Sequence, residues 1–263
     1  MKLTKFAFAA ALCLLFIACT SDDTENLDGL MGDISLKFDN GVGDQDFIFG
    51  TSYTKSNNES YTLNALKYLI SNVRLTDDQG TIFEYPRDKN IFIINEADGN
   101  NAGEIYINLT DVDAANYTQL TFGIGIDQER YLKGADGQGD FLIEAQEEGM
   151  LWSWATGYRF TRFDGIYSSE TEVDQGLNIH MGSVGTAIDN YREVTLSLPT
   201  EARVRPAKTT EIHIKADIAK VFDGVVSVNF SEGYGQVHTS AETTPVIANN
   251  MKDMFMVHHV HNE

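Results

Sequence analysis

The segment from Met251 to His261 concentrates side chains that can ligate a metal ion. It reads M-K-D-M-F-M-V-H-H-V-H and holds three of the six histidines and three of the seven methionines of the chain. Neutral imidazole binds copper, zinc, iron and nickel, whereas thioether sulfur selects soft ions such as Cu(I). A mixed cluster of histidine and methionine therefore favours copper over zinc.

Strand geometry predicts how these ligands would be arranged. Alternate residues of a strand share a face, so His259 and His261 would form a pair while His258 points the other way, to solvent or a secondary contact. The alternative is a final strand that is buried on both faces and whose terminal histidines fray into solvent. If the histidines do bind an ion, the tail supplies half a site, and the other ligands come from elsewhere in the chain.

Two motifs further up the chain carry side chains that could complete such a site. Residues 150–160, M-L-W-S-W-A-T-G-Y-R-F, hold both tryptophans, and strand alternation would put Trp152 and Trp154 on one face. These indoles could equally fill the core of a sandwich. In the second motif, I-H-M-G-S, a hydrogen-bonded structural role is the default interpretation of His180.

The N-terminal residues predict export and attachment of a lipid. Residues 1–18 have two lysines followed by an apolar run, which is typical of a secretory signal peptide and too short to span a bilayer. The motif F-I-A-C that ends at Cys19 resembles the lipobox of bacterial lipoproteins, which predicts that Cys19 carries a lipid anchor. Residues 19–32 form an acidic flexible linker whose start resembles the surface-export signal of lipoproteins in Bacteroidetes. We therefore expect an outer-membrane lipoprotein of the cell envelope, either periplasmic or surface-exposed.

Composition argues against several classes of function. Cys13 leaves with the signal peptide and Cys19 is acylated, so the mature chain has no thiol for catalysis, a disulfide or a metal site. The net charge of −20 becomes −22 when the two lysines of the signal are removed, and it would repel the phosphates of nucleic acid. Because no G-x-S-x-G nucleophile motif occurs, a hydrolase is disfavoured. We expect no enzymatic turnover.

Hydrophobic periodicity predicts an all-β protein. Residues 34–38, 104–109 and 211–215 alternate apolar and polar side chains, as half-buried strands do, and turn signals recur between such segments. Helical pattern is confined to short candidates at residues 216–222 and 111–117. The expected fold is an antiparallel β-sandwich or barrel-like domain with few short helices.

Five motifs together resemble one known family. In chain order they are A-L-K-Y-L-I-S-N-V-R-L (65–75), G-I-G-I-D (123–127), M-L-W-S-W-A-T-G-Y-R-F (150–160), I-H-M-G-S (179–183) and M-F-M-V-H-H-V-H (254–261). The set is similar to the MbnP family of copper-binding proteins, which includes methanobactin-associated periplasmic proteins and many bacterial lipoproteins. The resemblance covers residues 33–263 as a single β domain, and the tryptophan motif followed by the His-Gly pair is its most specific part.

The resemblance implies a set of metal ligands and a modified residue. Characterised relatives bind copper through histidines and have a tryptophan that a dihaem MauG-like partner oxidises to kynurenine, here either Trp152 or Trp154. The implied ligands are His180, His259 and His261, with His258 as a secondary contact and Met181 or Met256 as soft partners. Hydrogen bonds from the distal ring nitrogens would go to Asn178, Asp164 or Glu263.

Two functions compete at this point. The first is a membrane-anchored extracytoplasmic protein that binds one copper ion for storage, delivery or a redox partner role. The second is a surface lipoprotein that binds glycan or protein on a stacking platform of exposed aromatic side chains around Trp152, Trp154 and Tyr158. Burial distinguishes them, because a platform needs exposed indoles, whereas the copper hypothesis predicts indoles that are partly covered and close to His180.

Overall fold

The computed structural model describes residues 25–100 and 102–263, nearly half of which belong to β-strands. The predicted signal peptide and Cys19, the residue predicted to carry a lipid, lie outside the described residues. The strands are β1 Met31–Val42, β2 Gln45–Asp46, β3 Tyr53–Thr54, β4 Ser60–Asp77, β5 Ile82–Glu84, β6 Ile91–Asn95, β7 Glu104–Asp113, β8 Asn116–Ile124, β9 Leu151–Ser153, β10 Gly157–Tyr158, β11 Thr161–Ser168, β12 Gln175–Ile179, β13 Arg192–Arg203, β14 Thr209–Asp217, β15 Gln236–Val237 and β16 Phe255–Asn262. The expected all-β class is confirmed.

The first sheet has five strands, and alternation along its sequence determines which face is buried. β1 lies between β7 and β14, and β16 forms the edge beyond β14. Ile34, Leu36 and Phe38 of β1 are fully buried, whereas Lys37 and Asp39, which alternate with them, lie on the opposite face. The sheet therefore has an apolar inner face in the core and a polar outer face.

The second sheet has nine strands, with β4 near its centre. β4 pairs with β3, β5, β6, β8 and β11, and its pairing with β8 shifts register between Ser71 and Arg74. Extra residues of this kind bend a strand and increase its twist. Asn72, inside the irregular stretch, has φ of 52°, which is consistent with a local break in regular strand geometry. The bent strand lets the large sheet curl over the smaller one.

Aromatic side chains fill the space between the two sheets. Phe38 of the small sheet contacts Tyr68 and Phe122 of the large sheet, with ring centroids 6.4 and 6.1 Å apart. Phe255, the first residue of β16, packs edge-on against Phe122 with a centroid distance of 5.0 Å. Such pairs each contribute about 0.5–1.5 kcal/mol beyond the area that they bury. Phe255 thereby anchors the start of the histidine-bearing strand in the core.

At one side of the molecule the edge strands of the two sheets meet. β13 ends the large sheet and β16 ends the small one, and the side chain of Asn262 joins them. Its Oδ1 accepts from the Arg203 backbone at 2.7 Å, and its Nδ2 donates to the Glu201 carbonyl at 2.9 Å. The histidine-bearing strand is therefore fixed near both of its ends.

Some local expectations were wrong. Two strand pairs are parallel, β1 with β14 and β12 with β15, within the sandwich or barrel-like domain that was expected to be antiparallel. Residues 111–117 form the end of β7, the bend at residues 114–115 and the start of β8 rather than a helix. Within the described residues the α-helices are short: α1 Gln128–Tyr131, α2 Phe141–Glu147, α3 Ala219–Phe222 and α4 Thr244–Met251. Across residues 25–100 and 102–263, no helix has the length and apolar character that crossing a membrane requires.

Candidate metal centre

A β-bulge in β16 brings its histidines to one face. Ile214 pairs with Val257 and His213 pairs with His259, so His258 is an extra residue without a partner of its own in β14. A bulge interrupts strand alternation. Val257 and Val260 consequently both pack against the core.

One methionine and the three histidines of this strand share the outer face as a result. Met256 and His258 reach it before the bulge, and His259 and His261 reach it afterwards, and all four are exposed. The prediction that His258 points away from His259 was wrong, because strand parity holds only where pairing is regular. The pairing, and not the tail sequence alone, determines which ligands converge.

Three imidazoles come together at the bulge. The ring of His213 lies 5.2 Å from that of His258 and 4.8 Å from that of His259, measured between centroids. The Nδ1 atoms of His258 and His259 are 2.8 Å apart. One possible ligand nitrogen from each of the three residues lies within 4.8 Å of the other two. Among the described residues, no other group of three or more histidine, cysteine, aspartate or glutamate side chains brings its possible ligand atoms this close together.

His213 is oriented as a metal ligand would be. It is 7% exposed, and its Nε2 hydrogen bonds the Oδ2 of Asp39 at 3.0 Å. Its Nδ1 is buried and has no hydrogen-bond partner among the described residues. If Nε2 carries the proton that Asp39 accepts, Nδ1 presents a lone pair, which is the arrangement found in carboxylate–histidine–metal sites. A buried ring nitrogen without a partner is costly, and a bound ion would satisfy it.

Burial and nearby cationic groups lower the pKa of two of these rings. Burial lowers the pKa of His213 and the nearby Lys37 lowers it further, against the opposing effect of the hydrogen bond that His213 donates to Asp39. Burial also lowers the pKa of His259, with further contributions from His258 and Lys37. Because only neutral imidazole offers a lone pair, both shifts favour metal binding near neutral pH.

A second pair of histidines lies in the other sheet. The parallel strands β12 and β15 align Ile179 with Val237, so the residues that follow them, His180 and His238, lie side by side with ring centroids 5.2 Å apart. The Nε2 of His180 contacts the Oδ1 of Asp164 at 2.5 Å. Asp164 was one of the three carboxyl or amide groups expected to orient a histidine, and it does so for His180.

The two tryptophans are half-buried and have different neighbours. β9 ends at Ser153, so Trp154 lies in the turn that follows and strand alternation does not relate it to Trp152. The indole of Trp154 stacks on Tyr131 at 5.0 Å. Trp152 lies under the guanidinium of Arg159 and packs so closely on Gly182 that a Cβ there would lie 3.1 Å from the indole. The indoles are thus partly covered, and Trp152 packs on Gly182, two residues along the chain from His180, which does not favour an exposed stacking platform.

Comparison with known protein families identifies the family of this chain. The model of the MbnP family matches residues 31–240. This chain belongs to the MbnP family. Among solved structures, this MbnP-family chain is similar to MbnP from Methylosinus trichosporium, with 15% sequence identity, 88% of this chain and 98% of that chain covered, and a TM-score of 0.45. A search of the curated proteins finds no match.

Only some of the candidate ligands lie within the residues that match the MbnP family model. His180, His213, His238 and both tryptophans lie inside it, whereas the motif at residues 254–261 lies beyond its last residue. The MbnP resemblance is therefore confirmed on its inner motifs. What the tail histidines do rests on geometry alone.

The structure does not unite all the ligands expected for an MbnP protein. His180 contacts Asp164 and His238, and the histidine group at the bulge does not include it. Met181 is fully buried, whereas Met256 is 53% exposed and pairs with Lys215, next to the bulge. His261 pairs with Glu211 and is the next residue after His259 on the outer face of β16.

Sequence reasoning missed two residues, His213 and His238. His213 occupies the polar face of the alternating segment E-I-H-I-K, where Ile212 and Ile214 are fully buried. A histidine that occupies the solvent side of a strand and is nevertheless buried signals a partner, but the alternation was interpreted for fold only. His238 follows a strand of two residues, which is too short to show any period.

Proposed function

We propose that this protein binds one copper ion through His213, His258 and His259. The observation that carries the proposal is the convergence of three imidazoles around the buried, unpartnered Nδ1 of His213. Bonds of about 2.0 Å to a shared ion require nitrogen atoms no more than about 4 Å apart. Small rotations of the exposed His258 and His259 rings would bring the three nitrogens to that spacing.

The choice of copper over zinc rests on the donors and on the family. Three neutral imidazoles suit either ion, but Met256 adds an exposed thioether on the same face, and thioether sulfur favours Cu(I). Relatives in the MbnP family are associated with copper. With no thiol outside the signal and lipobox cysteines, a thiolate zinc site is excluded. Storage, delivery or electron exchange with a redox partner would each use such a site without turnover.

Titration of the purified protein with Cu(I) and Cu(II), with Zn(II) as the competing ion, tests the proposal. We expect about one equivalent of copper to bind more tightly than zinc. The double variant His258→Ala/His259→Ala should lose tight binding, because both exposed donors are removed. Both positions are exposed, so the variant should fold as the parent does.

The second histidine pair supplies the matched control. His180→Ala/His238→Ala also removes two neighbouring imidazoles and should leave copper affinity within about threefold of the parent. If this control loses copper while His258→Ala/His259→Ala retains it, the ion binds at His180 and our assignment to the bulge is wrong. If both double variants retain full affinity, neither site is used.

We also propose that Trp152 is the tryptophan which a dihaem MauG-like partner oxidises. Of the two indoles, Trp152 is the one that packs on Gly182, two residues from His180, and that stacks below Arg159. Mass spectrometry of the peptide covering residues 150–160, from protein produced in its native cell, tests this. Kynurenine at Trp152 supports the proposal, whereas an unmodified peptide or kynurenine at Trp154 contradicts it.

Lipid attachment at Cys19 completes the proposal and explains how the protein would be held at the outer membrane. Cys19 lies outside the described residues, so the proposal rests on the lipobox-like sequence F-I-A-C. We expect the Cys19→Ser variant to appear in the soluble fraction and the parent in the membrane fraction. A parent protein that is soluble without detergent would contradict the anchor.

A further inference from the structure

A cationic cleft lies beside helix α1, in a chain that is otherwise strongly acidic. Its volume is about 360 Å³, and its lining consists of Arg87, Asp88, Arg130, Lys133 and Gly137. Three of these five residues are basic and one is acidic, whereas the chain as a whole has 19 basic and 39 acidic residues. The lining of the cleft is therefore mostly basic, although the molecule as a whole is acidic.

Arg130 is the buried residue of this cleft, and its charge has no carboxylate partner. It is 6% exposed, and within the described residues no carboxylate oxygen lies within ion-pair distance of its guanidinium. Its Nη1 donates to the carbonyl of Arg87, and its Nε is buried with no partner in the described part of the chain. Taking a charge out of water without a counter-ion is costly. Burial lowers the pKa of Arg130, and the nearby Arg87 lowers it further.

Two of the acidic groups around Arg130 are already engaged, and a third, Asp88, lines the cleft itself. Asp127 caps α1 by accepting from the Arg130 backbone at 2.9 Å, and it also accepts from Asn72 and from Arg87. Glu129 lies 3.6 Å from Arg87 and 3.5 Å from Lys133, in pairs that face solvent. Exposed pairs of this kind contribute little and are easily exchanged. Lys133 is therefore available to a ligand.

Arg87 has carboxylate partners, but its guanidinium, like that of Arg130, has an unmet donor. Its Nη2 contacts Asp127 at 2.8 Å, but its Nε is buried and unpartnered among the described residues. Two neighbouring guanidinium groups with unmet donors thus border one cleft. A second cleft that also borders Arg130 and Asp88 is lined in addition by Asp140 and Glu144, so an anion would be attracted to the side of Arg87 and Lys133.

We propose that this cleft binds a small oxyanion, a phosphate or a carboxylate group, which pairs with the guanidinium of Arg130 and is flanked by Arg87 and Lys133. Guanidinium matches such groups in geometry because its planar N–H donors can contact two oxygens at once. The site is separate from both histidine groups. It would allow a protein of high negative charge to hold a metabolite or the acidic group of a partner.

Calorimetric titration of the full chain at constant ionic strength tests the proposal, with inorganic phosphate, acetate and succinate as separate probes. We expect saturable binding of about one equivalent. Arg130→Gln should weaken it at least about tenfold, because a charge-assisted hydrogen-bond partner is lost. Lys133→Gln, at an exposed position, should weaken it about threefold. Lys252→Gln changes the net charge equally on an exposed residue outside the cleft and should leave affinity unchanged.

Each outcome decides the matter. Tighter binding of phosphate assigns a phosphate site, and tighter binding of succinate or acetate assigns a carboxylate site. No saturable binding of any probe at millimolar concentration overturns the proposal, as does binding that neither cleft variant weakens. If Arg130→Gln does not fold, Arg130→Lys takes its place, since it keeps the charge but loses the planar fork and should still weaken binding.

Discussion

At the scale of single residues, Asp39 determines whether His213 can act as a ligand. It hydrogen bonds the Nε2 of His213 at 3.0 Å, while the Nδ1 of the same ring is left without a partner in the described residues. A carboxylate at this position fixes the ring orientation and makes the opposite nitrogen a better donor. Asp39 also lies 3.9 Å from Lys215, so its charge is shared only weakly.

We expect Asp39→Asn to lower copper affinity about tenfold, because the ring keeps a hydrogen-bond acceptor but loses the negative charge beyond it. Competition titration with a Cu(I) chelator measures the change. Asp28→Asn, on an exposed residue near the start of the described chain, removes the same charge and should have no effect. Equal affinity in Asp39→Asn and the parent would show that His213 is not a ligand.

At the scale of elements, sequence periodicity predicted the strands but not their irregularities. The alternation in 34–38, 104–109 and 211–215 correctly predicted parts of β1, β7 and β14, because their buried face is set by side-chain polarity. The bulge at His258 follows from how β16 pairs with β14, a long-range property that the tail sequence does not contain. For the same reason, the meeting of His180 with His238 could not be predicted, since it depends on two parallel strands.

The entry to β4 gives a prediction at this scale. Glu59, just before β4, accepts from the backbones of Phe230 and Ser231 and pairs with the buried Lys55 at 2.9 Å. Against the opposing effect of burial, these hydrogen bonds lower its pKa to about 2. Because the folded-state pKa is depressed, the stabilisation is present above about pH 4.5 and is lost as the pH falls towards 2.

Glu59→Gln should therefore reduce the free energy of unfolding at pH 7, by up to about 3 kcal/mol. Its stability should also depend less on pH between about 4.5 and 2 than that of the parent. Urea unfolding at a series of pH values measures both effects. Glu147→Gln, on an exposed residue of α2, should match the parent. If the free energy of unfolding of the Glu59 variant depends on pH as that of the parent does, this carboxylate does not stabilise the contact with Phe230 and Ser231.

At the scale of the whole molecule, a chain of buried polar groups connects the two sheets. Tyr68 of the large sheet donates to Asn40 of the small sheet at 2.9 Å, and Asn40 donates to Glu96 at 2.8 Å. Glu96 lies in the segment between β6 and β7, where the chain passes from one sheet to the other. A fully connected network of this kind favours one packing of the sheets over alternatives.

The ionisation of Glu96 makes the stability of the folded state depend on pH, in the direction opposite to that of Glu59. Burial raises its pKa to about 7, partly offset by the hydrogen bond from Asn40 and reinforced by Asp39. Between pH 4.5 and 7 the folded state therefore holds a proton that the unfolded state has lost, so stability falls as the pH rises through this window. Above about pH 7 the full penalty is present, up to about 3 kcal/mol.

Glu96→Gln should remove this penalty while it keeps an acceptor for Asn40. We expect the variant to be more stable than the parent at pH 8, and the difference to shrink as the pH falls to 4.5 and below, where the parent carboxyl becomes neutral in the unfolded state as well as in the folded state. Thermal unfolding from pH 4.5 to 8 measures this, again with Glu147→Gln as the matched control. A variant that is less stable than the parent at pH 8 would show that the ionised Glu96 strengthens the contact between the sheets. In that case, the network would stabilise the packing of the two sheets with Glu96 ionised and not with Glu96 neutral.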